Sequence, residues 1–521
     1  MTDTRDVRGG RDAPVGLSRR SLLLGSSALI GSAIVAGCSP HGAGTATGPA
    51  TGPSAATTTV PPSPTGSVPA QGAGWVKPAE IASRDGALEV VLEAAPSMVP
   101  WRDGERWALT YNGSTPGPTL RVRPGDRLRV TLRNGLEAPT NLHVHGLHVS
   151  PDGSSDNVFV MVDPGGERVY DYVIPADHPS GTFWYHPHHH GTVAEQVAAG
   201  MAGIIVIEDT LDTAAPIEAT TERVVVLSDP RIGTSAGVVL ASSMMDAMQG
   251  RVGDGVLVNG TAQPVVTVAT GTMERWRILN ASASRYYPLQ LDGFEWWQVA
   301  SDGSRLAEPV DASGLVLAPG ERAEVLVAVG HATTATLTTT WQTTTGMGGM
   351  GGMGGGQGGG TETVLTLVAT GEDVSLPAPA GGLARIESLS QAAVEREREF
   401  RLAMGGMMMG GGNGMSFTIN GATFDPQRVD VTADLGTVEE WTVTNVSPMA
   451  HPFHLHVWPF QVLEASDGRV PPLGWKDVVD VPAGGWVRLR VAFRDFAGRT
   501  VYHCHILDHE DRGMMGVIEV R

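Results

Sequence analysis

Three stretches of the 521-residue chain read alike: YNGSTPGPTLRVRPGDRLRVTLRNG from Tyr111, VNGTAQPVVTVATGTMERWRILNAS from Val258, and INGATFDPQRVDVTADLGTVEEWTVTNVS from Ile419. No other feature narrows the fold so far. Each stretch is an Asn-Gly turn, an alternating strand, a second turn and another alternating strand. A second marker follows each one: PGGERVYDYVI at Pro164, PGERAEVLVAV at Pro319 and PAGGWVRLRVAF at Pro482. Repeats of this length are domains rather than solenoid units. Apolar residues fall at every second position, as at Leu128, Val130 and Leu132, or Trp441 and Val443. That is the period of a strand with one buried face, and helical periodicity is scarce. The expectation is an all-β chain of three consecutive β-sandwich domains, at residues 78–212, 218–372 and 390–521. Two glycine- and methionine-rich stretches, GMGGMGGMGGGQGGG from Gly346 and MGGMMMGGGNGM from Met404, read as loops.

Residues 1–38 read as an export address. The segment SRRSLLLG carries a twin-arginine pair, Arg19 and Arg20, ahead of an apolar run from Leu22 to Ala36 that is short for a membrane span. The run ends in VAGC, which resembles a lipobox with Cys38 as the lipidated residue. Residues 39–77 are rich in Pro, Ser, Thr and Gly and read as a tether. The expected location is the cell envelope, on the periplasmic side, with a lipid anchor at Cys38. A net charge of −19 argues against a nucleic-acid partner and suits attraction of cations. Cys38 and Cys504 are the two cysteines, which excludes a disulfide framework.

Four stretches carry His-x-His: His143/His145, His186/His188, His454/His456 and His503/His505. On a strand, residues i and i+2 face the same way, so each pair presents two imidazoles to one place. Two pairs lie in the first domain and two in the third. The second domain has one histidine, His331. The simplest geometry joins domains one and three around a shared eight-histidine site, with domain two as spacer.

Cys504 lies between His503 and His505, so it faces the other side of their strand. His509 and Met514 follow closely, and His451 precedes the third pair. Cysteine, two histidines and a methionine make the composition of a blue-copper electron-transfer site. Zinc suits it poorly, since closed zinc sites take four Cys or His ligands. The Cys504 backbone joins this site covalently to both neighbouring histidines.

With these motifs in order, residues 80–521 resemble the three-domain multicopper oxidases of the bacterial laccase and cuprous oxidase type. The resemblance implies three cupredoxin-like Greek-key sandwiches and four copper ions. It assigns type 1 copper to His451, Cys504 and His509, with Met514 as axial ligand. It assigns type 2 copper to His143 and His454. The type 3 pair takes His145, His186, His188, His456, His503 and His505. It implies one-electron oxidation of a donor at type 1 copper and four-electron reduction of dioxygen to water at the three-copper cluster. A monomer is expected.

Reduction of dioxygen consumes protons, so carboxylates are expected near the cluster. Asp156 and Glu510 match the family's acidic positions and are the candidates, each against an ordinary solvated carboxylate. His189 and His190 are expected to be non-ligands, His148 and His178 structural, and Met515 core packing.

The donor is read from the methionines. Thioethers suit Cu(I), and they concentrate at Met244, Met245 and Met248, at Met347, Met350 and Met353, and at Met404, Met407, Met408, Met409 and Met415. For the first group, core packing on one helical turn is the competing reading. Met449 matches a substrate-copper residue of the cuprous oxidases, but Ser447 stands where they carry an acid. The expected activity is oxidation of Cu(I), with phenolic or aromatic donors as well, in copper tolerance. A generalist laccase, ferroxidase or manganese oxidase is the alternative in the same class. An extracytoplasmic copper-storage protein is the alternative in another.

Overall fold

The computed structural model describes residues 74–521, apart from 102–103, 209–220, 234–236, 239, 341–359, 380, 406–414 and 470. The leader, Cys38, most of the tether, the loop methionines Met347, Met350 and Met353, and Met407, Met408 and Met409 lie outside the described residues.

The described strands form six sheets, two in each of three consecutive regions, Glu80–Ile207, Thr221–Thr370 and Arg396–Val520. Alternation sets the faces. Leu128, Val130 and Leu132 are buried while Arg127, Arg129 and Arg133 are exposed, and Trp441 and Val443 are buried in the matching strand of the third region. The three Asn-Gly turns have both residues at positive φ: Asn112 and Gly113, Asn259 and Gly260, Asn420 and Gly421. Asn tolerates that region and Gly favours it, which is the chemistry of a tight hairpin turn.

The regions share a topology. In one sheet of each, a strand pairs in parallel with the third strand after it: Ala87–Trp101 with Arg127–Asn134, Thr221–Ser228 with Thr272–Asn280, and Arg396–Gly405 with Val438–Asn445. Each region encloses its own apolar core between its two sheets. These are three consecutive cupredoxin-like sandwiches.

In the second sheet of the first region, His143–His145 lies beside Gly181–His186, with His143 opposite His186. In the third, His451–Leu455 lies beside Gly498–Cys504, with His454 opposite His503. The corresponding strands of the second region, Tyr287–Leu291 and Thr334–Thr340, read YPLQL and TATLTTT. One sandwich plan thus presents histidines at equivalent places in two domains and none in the middle one.

Candidate metal centres

All eight histidines of the four pairs converge across the boundary between the first and third domains. His143 stacks on His456 with ring centroids 3.9 Å apart, and His145 on His454 at 3.8 Å. Their nitrogens form three groups close enough to share an ion: His143, His145 and His454; His145, His186 and His505; His188, His456 and His503. All eight rings are buried.

His143, His145, His186 and His454 are each oriented by what they bond outside the cluster. His143 Nδ1–H donates to Asp156 at 2.9 Å, His186 Nδ1–H to the Pro187 carbonyl at 2.8 Å, and His454 Nδ1–H to the Asp477 carbonyl at 2.7 Å. Nε2 of all three is buried without a partner. His145 is turned the other way. Its Nε2–H donates to the Asp477 carboxylate at 3.0 Å, and Nδ1 is the free atom. His188 Nε2 and His456 Nε2 each approach His503 Nε2 at 3.1 Å. Burial holds all eight rings below their ordinary pKa, His188 and His503 at about 4. Buried lone pairs on neutral imidazoles, converging with no donor between them, fit a cluster of copper ions.

Cys504 faces the other way, into the core of the third domain with Met514 and Met449. His451 Nδ1 lies 3.4 Å from its sulfur and His509 Nδ1 3.9 Å away. Outward, His451 Nε2–H donates to Ser447 Oγ at 2.7 Å, and His509 Nε2–H to the Met248 carbonyl at 3.3 Å. Phe417 stacks on His509 at 4.3 Å. Burial pushes the Cys504 thiol pKa up, so a bound cation is what would hold a thiolate there. The donor set fits copper.

The two methionines after His509 separate cleanly. Met514 is bonded by its backbone to both Cys504 and His509, with its carbonyl accepting from Cys504 N and its N–H donating to the His509 carbonyl, each at 3.0 Å. Met515 pairs with His503 across the strands and packs with Val158 and Val501.

Glu510 follows His509 on the turn Leu507–Glu510 and is fully buried. Its two oxygens lie 3.1 Å from His503 Nδ1 and 3.5 Å from His188 Nε2, neither in hydrogen-bonding alignment. Burial raises its pKa to about 7, against the opposing effect of His188. Asp156 is buried between His143 and the Val144 N–H and raised to about 8, again by burial.

The remaining candidates fall elsewhere. His189 and His190 are half-buried and exposed. His148 bonds the Val457 carbonyl and Asp495, and His178 accepts from the His148 N–H. Met449 is 9% exposed and its carbonyl accepts from Ser447. Met244 and Met245 occupy a short helix, Met244–Gln249, but are 73% and 59% exposed, so the core reading of that pair does not hold. Met404 and Met415 pack against the core that contains Cys504.

Three groups escaped sequence reasoning. Asp477 holds both His145 and His454, and no spacing marks it. Arg322, from the second domain, pairs with Asp477 at 2.6 and 2.7 Å. Asp511 accepts from the N–H groups of Gly191, Val193 and Ala194, tying the Glu510 turn to the chain just after His188.

Models of the family described as multicopper oxidase match residues 94–212, 233–344 and 397–521. The multicopper oxidase mco of Staphylococcus haemolyticus is 32% identical over 423 residues, 79% of this chain and 83% of that protein. The cell division protein FtsP of Dickeya dadantii is 33% identical over 414 residues, 77% of this chain and 83% of that protein. Among solved structures, a Campylobacter jejuni multicopper oxidase described as a metallo-oxidase superposes with a TM-score of 0.75 at 30% identity, covering 87% of this chain and 96% of that one.

Proposed function

The chain belongs to the multicopper oxidase family, and on that premise we propose that it couples oxidation of Cu(I) to reduction of dioxygen to water. The observation that carries the oxidase reading is the convergence of eight buried histidine rings, most with an unpartnered nitrogen, with Cys504 set between two of them, His503 and His505. In this reading His451, Cys504, His509 and axial Met514 hold type 1 copper. His143 and His454 hold type 2 copper. His145, His186 and His505 hold one type 3 ion, and His188, His456 and His503 the other, four ions in all. Copper, when bound, supplies one-electron redox chemistry and the binding of dioxygen.

The chain's own residues do the rest. Cys504 is bonded through the backbone to His503 and His505, which belong to different histidine groups, so one cysteine has a covalent route to both. Asp156 fixes the His143 ring. Glu510, with a pKa near neutrality and no fixed donor, carries a proton to the cluster side of His188 and His503.

Cu(I) as donor is supported by the helix Met244–Gln249. It exposes two thioethers to solvent while its Met248 carbonyl bonds His509. Ser447 spends its hydroxyl on His451, so donor capture is assigned to this helix and to the stretch between Met404 and Met415 rather than to a site at Met449. Export, a lipid anchor at Cys38, the tether of residues 39–77, a monomeric state and a role in copper tolerance complete the proposal. No helix among the described residues is long and apolar enough to cross a membrane.

A broad laccase, or a ferroxidase or manganese oxidase, is the second reading, since phenols and other metal ions could use the same type 1 site. Steady-state comparison of Cu(I), Fe(II), Mn(II) and a phenol on copper-loaded protein decides between them. Highest kcat/KM for Cu(I) is expected, and preference for a phenol transfers the proposal to the laccase reading. Tight copper binding with no oxygen uptake for any donor makes the chain a storage protein.

A further inference from the structure

The second marker of each repeat places a glycine at positive φ: Gly165, Gly320 and Gly484. Around Gly165 and Gly484 an added Cβ would meet nothing within 4 Å. At Gly320 it would meet the ring of His505 at 2.9 Å. The turn of the middle domain is therefore seated on the cluster, although that domain supplies none of the clustered histidines.

Two residues beyond Gly320, the buried Arg322 reaches the same place. Its guanidinium forms a two-point pair with the Asp477 carboxylate and donates through Nε to the Thr182 carbonyl at 3.1 Å. Asp302 and Lys476 extend the buried network, with Lys476 Nζ 3.1 Å from both Asp302 and Glu321. Gly146, directly after the first histidine pair, leaves room for it, since a Cβ there would collide with the Arg322 guanidinium and the Asp477 carboxylate. All three domains thus meet at one ion pair. Asp477 holds His145 by its carboxylate and His454 by its backbone carbonyl.

We propose that Arg322 is a positioning residue for the copper cluster. It fixes the Asp477 carboxylate, which keeps the proton of His145 on Nε2 and turns Nδ1 inward, opposite to His143, His186 and His454. A planar, always-charged guanidinium is suited to this task, because two parallel hydrogen bonds set the carboxylate plane as well as its position. Groups that orient metal-binding histidines typically change metal affinity or activity by about 10–100-fold when removed. The inference rests on the assignment of the histidine groups to copper given above.

The test uses copper-loaded full-length protein and the variants Arg322→Met, Arg322→Lys and Asp477→Asn. Arg168→Gln, at the matching turn of the first domain, where Arg168 donates to the Gly153 carbonyl, is the control. Bound copper, the blue thiolate absorption and the near-ultraviolet absorption of the coupled copper pair are followed together with turnover. Arg322→Met is expected to keep the blue absorption, lose the near-ultraviolet band and hold cluster copper about 10–100-fold more weakly. Arg322→Lys recovers part of the loss. Asp477→Asn, which keeps an acceptor oxygen for His145 but loses the ion pair, falls between Arg322→Met and the parent. Arg168→Gln leaves every signal in place. Parental copper content and bands in Arg322→Met overturn the proposal. So does parallel loss of blue and near-ultraviolet absorption, which marks a role in general folding. A parent that takes up copper only at Cys504 instead defeats the cluster assignment itself, independently of Arg322.

Discussion

The two candidate centres lie on opposite faces of one strand, Gly498–Cys504, and are built in opposite ways. The mononuclear site draws every proposed ligand from the third domain, and its sulfur sits in that domain's apolar core. Its links to other domains are indirect, chiefly the Met248 carbonyl on His509 and the Arg251–Asp508 pair beside it. The cluster has no single-domain existence. Its rings come from two domains and are oriented by residues of all three. One centre depends on one fold, the other on how folds meet. A change confined to the third domain can therefore remove the first and spare the second, and a change at the domain junction can do the reverse.

The sharpest break comes from Cys504→Ser. Blue absorption and donor oxidation should fall below detection while copper bound by the eight histidines is retained, because serine cannot replace the thiolate. Copper analysis with absorption spectra checks this. A blue, active variant contradicts the site.

Glu510→Gln attacks the other face. Turnover should fall by about 10²–10⁴-fold, the usual size of a positioned proton donor, with blue absorption and copper content unchanged. The sign with pH follows from burial, which raises the Glu510 pKa to about 7. The carboxyl carries its proton below about pH 7 and loses it above, so turnover of the parent should decline as pH rises through that range. In Glu510→Gln that limb should be missing. A pH profile of kcat with an unchanged limb assigns the proton to another group, with Asp156 next in line.

The sequence carried the parts of this comparison that are local. Period two in His143–His145 and His503–His505 set which rings face together, and put Cys504 on the far side. Asn-Gly dipeptides marked turns that need positive φ at both residues. Spacing from Cys504 favoured Met514 over Met515, and Met514 shares the core of Cys504 while Met515 packs elsewhere. What orients the rings was not legible. Arg322 and Asp477 are 155 residues apart and meet only when three domains close. The inverted His145 ring depends on that meeting, and nothing in HVHG records it. The exposure of Met244 and Met245 was equally hidden, because a one-turn helix leaves its outward side undetermined until it docks on the His509 turn.

A milder probe separates donor capture from the type 1 site. Replacing Met244, Met245 and Met248 by Leu keeps apolar volume and removes the thioethers. Oxidation of Cu(I) should fall about ten-fold, on the scale of one lost ligand contact of about 1.4 kcal/mol, with oxidation of a phenol unchanged. Equal losses for both donors would mean that the helix supports His509 rather than capturing copper.

The smallest effect is expected for Met514→Leu. The three strong ligands stay, so blue colour stays, and the potential rises because a weak axial thioether is gone. Redox titration reads this. A shift in Met515→Leu with none in Met514→Leu would exchange the two methionines.

The link between the two centres is the central claim, and the ratio of Cu(I) oxidised to dioxygen consumed tests it most directly. On that claim, electrons passing from the Cys504 side to the histidine side would be held until dioxygen can be reduced fully. Four Cu(I) consumed per dioxygen, with no peroxide released, is the predicted result. Two Cu(I) per dioxygen with accumulating peroxide would contradict it, because reduction would then occur without the cluster.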